Sequence, residues 1–146
     1  MQTNAFLKTL DNDRIVAAIL DAEYRSRGEI RVHVTNQSIA EVEAAARAQF
    51  EKLDMTKTAL RNGVLIYVAP RSQRFAVIGD AGIHERCGPT FWADIAAAME
   101  ADFRAGRFTD GIVKGVQQAG EALARYFPRA GQTQDVNELP DDVTED

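Results

Sequence analysis

The chain has 146 residues, 45% of them apolar and 27% charged, enough for one core but not for two independent ones, and too ordinary in charge for wholesale disorder. No apolar run approaches the ~18 residues that cross a bilayer, the opening MQTNAFLKTLDNDR lacks a signal-peptide core, and the single Cys87 excludes an internal disulfide or a multi-thiolate zinc site. The formal charge of −5 sits wholly in the last 18 residues, which divides the chain into a neutral domain over 1–128 and an acidic, mobile tail over 129–146, a poor match for nucleic acid or an anionic membrane.

Asp11-Asn12-Asp13 opens the first predicted helix as cap and first-turn charge, with Ile15, Ile19 and Ala22 on one stripe. A calcium loop starting there fails, because Val16 and Ala22 stand where Gly and Glu are required. Gly28 breaks the helix, and Glu29–Val34 alternates as a strand with its Glu29, Arg31, His33 face only partly covered. His33 there reads as a surface or hydrogen-bonded residue rather than a ligand. Ser38 with Glu41 predicts a capping box for the next helix, whose stripe is Ile39, Val42, Ala46, Phe50 and Leu53.

A loop over Asp54–Asn62 leads to Gly63 and the apolar run Val64–Ala69, a strand buried on both faces and parallel to the first. Pro70–Gln73 is too short for a crossover, so Arg74–Ile78 returns antiparallel. Gly79–Gly88 reads as an irregular loop with three glycines. Two helices follow, with stripes Phe91, Ile95, Met99, Phe103 and Ile112, Val116, Ala119, Leu123, Phe127; Gly111 and Gly115 suit close contact with the sheet. The expected fold is a three-layer α/β/α sandwich around a small mixed, mostly parallel sheet. The tail serves solubility, or its carboxylates or Leu139-Pro140 fold back onto a site.

Nucleotide and nucleophile motifs are missing: there is no GxGxxG, no GxxxxGK[ST] and no GxSxG. His84 and Cys87 lie three apart, which by itself makes no dyad, and Cys87 reads as a small hydrophobe. Oxygen ligands are the better prospect. Asp80 follows a strand in the glycine-rich loop that also holds Glu85, Asn62 ends the other long loop, and Glu29 begins the first strand. A hard cation such as Ca²⁺ takes roughly 6–8 oxygens, and irregular loops supply carbonyls as well as carboxylates. The competing reading makes Asp80 a turn residue, Glu85 a solvated charge and Asn62 an Asx-turn.

The stretches GEIRVHV at 28–34, RNGVLIYVA at 61–69, FAVIGDAGI at 75–83 and FRAGRFTDGIVKGV at 103–116 resemble the TPM domain family. This family includes a plant thylakoid-lumen acid phosphatase, a nematode receptor modulator and many bacterial proteins, and the match is to short stand-alone bacterial members with an acidic end like DVNELPDD. The resemblance implies an α/β/α sandwich with a divalent-cation site, usually calcium, with magnesium or another divalent ion as the alternative. Carried over by position, Asp80 leads the ligand set, followed by Glu29, Asn62, Glu85 and Asp110. Arg61-Asn62-Gly63 departs from the Asp-Asn-Gly of many relatives, which removes one carboxylate.

Two functions are expected from this reading: a cytoplasmic, calcium-responsive regulatory or interaction module, or a metal-assisted phosphohydrolase using Arg31, Arg71, Arg74 or Arg86 for phosphate. A plain partner-binding domain without metal is the third.

Overall fold

A computed structural model describes residues 1–129 and 143–146. In chain order the elements are α1 (Thr3–Thr9), α2 (Asn12–Arg25), β1 (Glu29–Val34), α3 (Val42–Lys52), β2 (Gly63–Ala69), β3 (Arg74–Gly79), α4 (Ala81–Cys87), α5 (Pro89–Arg104), α6 (Phe108–Tyr126) and β4 (Thr144–Glu145). The sheet order is β3-β2-β1-β4, with β1 parallel to β2 and β4, and β2 antiparallel to β3.

Period-2 alternation splits the sheet into two cores. Ile30, Val32, Val34, Val64, Ile66 and Val68 face α2, α5 and α6. Leu65, Tyr67 and Ile78 face Ala46 and Phe50 of α3 and Met55 of a short 3₁₀ turn. Helices thus cover both faces, which makes the three-layer α/β/α arrangement. Asp11 caps α2 by accepting the Arg14 N–H at 3.2 Å. Helix α6 runs through the larger core with Ile112, Val116, Ala119 and Leu123 buried. Its glycines set the packing distance. A methyl on Gly115 would lie 2.6 Å from Met99 Sδ of α5 and 3.2 Å from Ile66 of β2; one on Gly111 would meet the Phe103 ring of α5 at 2.6 Å. The close approach is therefore chiefly to α5, not only to the sheet.

Several local expectations are corrected. Helix α1 precedes the first predicted helix. Helix α3 begins at Val42 after Glu41 without a side-chain cap, so the Ser38–Glu41 box does not form. Segment 81–87 is helix rather than loop, because Asp80 accepts the Ala81 N–H and starts a turn that hydropathy could not reveal: among α4 residues only Ile83 is buried. The polar face of β1 is not open; Glu29, Arg31 and His33 are all buried. Alternation marks two faces of a strand, but it does not say whether the polar one meets water or partners.

At the end of α5, Asp102 is buried against α6, accepting from Arg107 at 3.0 and 3.1 Å and paired with Lys114 at 2.9 Å. Hydrogen bonds from Lys114 and Arg107 outweigh desolvation and hold its carboxyl below the usual carboxylate range. Because the folded pKa is depressed, this contribution to stability is present above the unfolded Asp pKa and disappears as pH falls through the folded one. Denaturation of the wild type and of Asp102→Asn should therefore differ at neutral pH and converge in strong acid. A constant gap down to pH 2 would refute this linkage.

Candidate functional site

The rim where β1 and β2 begin and β3 ends gathers three of the expected ligands. Glu29 sits opposite Gly63 in register, Asn62 immediately precedes it, and Asp80 donates its backbone N–H to the Gly63 carbonyl at 2.9 Å. Asn62 is buried and spends its Nδ2 on the Arg27 carbonyl at 3.0 Å. Glu85 is exposed, five residues along from Asp80 on α4. Asp110 belongs to the opposite rim. It pairs with Arg14 at 2.9 Å in the first turn of α6, beside a cleft of about 740 Å³ lined by Phe6, Phe75, Phe103, Phe108 and Pro70. The five candidates therefore do not converge, because strand order, which local spacing does not carry, decides the rim to which each loop returns.

Asp80 itself is committed. Its side chain is 5% exposed. Oδ2 accepts from Arg61 Nε at 2.7 Å, and Oδ1 accepts from Arg61 Nη2 at 2.8 Å and from Ala81 N at 2.8 Å. A bidentate guanidinium is among the strong hydrogen-bonding partners of a carboxylate, and the hydrogen bond to Asp80 raises the Arg61 pKa above its ordinary value. The pair floors a cleft of about 400 Å³ with Arg47, Glu51, Thr56 and His84 around it. Gly82 makes this junction possible: its N–H donates to the Arg61 carbonyl at 2.7 Å, and a methyl there would strike the Leu60 carbonyl oxygen.

Among the described residues no three His, Cys, Asp or Glu side chains are grouped to hold a metal ion. Calcium's need for roughly 6–8 oxygens is not met at this rim by a carboxylate already forked onto Arg61, one amide and Glu29. The donor set does not fit the implied ion. Burial pushes the Cys87 thiol up in pKa, which is the wrong direction for a nucleophilic thiolate.

A second polar cluster lies at the outer edge of β1, where one carboxylate of the acidic tail folds back onto the domain, one of the two roles expected for that tail. Thr144 and Glu145 pair with His33 and Val34 as β4. His33, 1% exposed, stacks on Tyr67 at 5.6 Å, contacts Thr144 Oγ1 through Nδ1 at 2.8 Å and Asp146 Oδ1 through Nε2 at 2.8 Å. Asp146 Oδ2 also accepts from Thr35 Oγ1 at 2.6 Å and from the Asn36 N–H. Desolvation raises the Asp146 pKa, but the bonds from Thr35, Asn36 and His33 overcome it, and the net shift is downward. Residues 143–146 of the acidic stretch thus lie on the sheet; Leu139-Pro140 and the remaining tail carboxylates lie outside the described residues. Hydrogen-bonding side chains at 33 and 35 were the available sequence signal.

Among the described residues, no helix is long and apolar enough to cross a membrane. The TPM domain family matches residues 1–122. No curated protein matches the chain. Among solved structures, the BA42 protein of the psychrophilic bacterium Bizionia argentinensis is similar, at 40% identity and a TM-score of 0.83 over 94% of this chain and 95% of that one. The N-terminal domain of a P. gingivalis protein shares the fold, at 19% identity and a TM-score of 0.64 over 84% and 83% of the two chains. With most of its length matched by the family, and with a close relative in sequence and fold, this chain belongs to the TPM domain family.

Proposed function

We propose that this TPM domain is a non-catalytic interaction module that takes an extended acidic segment onto the edge of β1. The observation behind this reading is the seat of residues 143–146. A two-residue strand contributes few ladder bonds, and the recognition comes from side chains, a Thr on His33 and an Asp carboxylate on His33, Thr35 and the Asn36 N–H. Strand addition works in this manner: the backbone supplies adhesion, and pockets for alternate side chains supply selectivity. A segment held by so short a ladder exchanges readily with a competing one of the same chemistry, so the partner class is an extended peptide with Thr and Asp two residues apart.

Amide spectra of the chain shortened after residue 142, titrated with a Val-Thr-Glu-Asp peptide, test it. Shifts should concentrate at Ile30–Asn36, and a peptide ending in Asn should bind at least ~10-fold more weakly, the loss of one charge-assisted carboxylate contact. Binding indifferent to that change, or no shift along β1, refutes the reading.

The calcium-responsive version of the module has one support, the shared rim of Glu29, Asn62 and Asp80, and one obstacle, Arg61. The phosphohydrolase version has less, since it rests on the family resemblance and the sequence carries none of the P-loop or GxSxG motifs; phosphate release abolished by Asp80→Ala would support it.

A further inference from the structure

We infer that Arg61 is a built-in counter-ion: its guanidinium occupies the place of a divalent cation at Asp80, and this chain has thereby exchanged an ion-binding rim for an internal ion pair. The inference concerns the β2 rim and is independent of the β1-edge reading above.

A carboxylate that is 5% exposed requires compensation, because burying an unpaired charge is far costlier than any single contact gains. Arg61 provides it with two parallel N–H···O bonds at 2.7 and 2.8 Å, aimed at both oxygens that a metal would use. The remaining Asp80 acceptor capacity is drawn on by the Ala81 N–H. A dication entering here would meet a positive charge already in place and a carboxylate already shared.

The backbone supports the exchange independently. Arg61 has φ of 51°, in the left-handed region where Asn, Asp and Gly are comfortable and a long side chain is not. The loop is fixed in this form from both sides, by Arg61 N–H on the Thr58 carbonyl at 3.2 Å and Gly82 N–H on the Arg61 carbonyl at 2.7 Å. The conformation therefore favours a short polar side chain, and the fork onto Asp80 is what an arginine adds at that position. Asn62 leads from the bend at Arg61 directly into Gly63 at the start of β2.

The test is a Ca²⁺ titration of the full chain, by calorimetry and by amide shifts, on wild type, Arg61→Asp and the double variant Arg61→Asp/Asp80→Asn. The wild type should show no saturable binding at millimolar Ca²⁺. Arg61→Asp should bind with a dissociation constant of about 1 mM or lower, the range of weak calcium modules, with shifts at residues 58–63 and 79–82. Adding Asp80→Asn should abolish it. Saturable, Asp80-dependent binding by the wild type overturns the inference, and so does a folded Arg61→Asp that fails to bind. Should Arg61→Asp not fold, Arg61→Asn serves in its place, since Asn accepts the same φ and removes the guanidinium; it should gain binding over the wild type, and a folded Arg61→Asn without gain likewise overturns the inference.

Discussion

Gly82→Ala should lower the stability of the chain by about 3 kcal/mol, the upper part of the usual range for overpacking a tight contact. The added methyl would stand 2.2 Å from the Leu60 carbonyl oxygen and 2.6 Å from that of Arg61. Both obstacles are backbone, so no rotamer change relieves them. Helix α4 must withdraw, which breaks the 2.7 Å bond from Gly82 N–H to the Arg61 carbonyl and draws Asp80 from the Arg61 fork. Denaturant midpoints at unchanged m-value measure the loss. Gly79→Ala is the useful contrast, because its methyl meets the edge of the Trp92 ring, a side chain that can move. A Gly82→Ala protein as stable as wild type would mean that the 60–61 loop yields freely to the added methyl, against the close backbone contact at Gly82.

Ile66→Ala should cost about 2–5 kcal/mol, the range for truncating a buried aliphatic side chain. Ile66 is fully buried at the centre of β2, with Val32 and Val77 as its register partners. Its Cδ1 lies against the Gly115 notch of α6, beside Met99 of α5. Three elements meet on this one side chain, and the backbone of α6, already brought close by glycine, cannot move far enough to fill the void. The half-exposed Leu20 on α2 provides the control: Leu20→Ala should change stability by no more than about 0.5 kcal/mol. Equal effects at the two positions would contradict the central place given to β2.

How much of the site was legible depends on the kind of residue. The rim carboxylate Asp80 was visible, since an acid between a strand and a glycine-bearing segment is a frequent cap or ligand. The role was not visible, because cap, ligand and ion-pair partner are written with the same letter. Arg61 in place of Asp was visible as a departure; that its fork reaches Asp80, 19 residues away, follows from β2 and β3 lying side by side in register. Asp110 shows the opposite failure. As an acid at a helix start it looked equivalent to the others, yet α6 begins at the far rim, where its partner is Arg14.

Local periodicity determined the core of this protein: the α2 and α6 stripes, the apolar run of β2 and the hairpin return into β3 are each dictated by side-chain spacing over a few residues. Helix α4 escaped because Ile83 is the one buried residue among its seven, too few to show a helical stripe. Tertiary structure alone decided the rest. Strand order assigned each loop to a rim, the second core turned the polar face of β1 into a buried one, and chain return brought Asp146 to His33 across 113 positions. Contacts of that separation depend on where the backbone travels in space, and the identity of nearby residues holds no record of it.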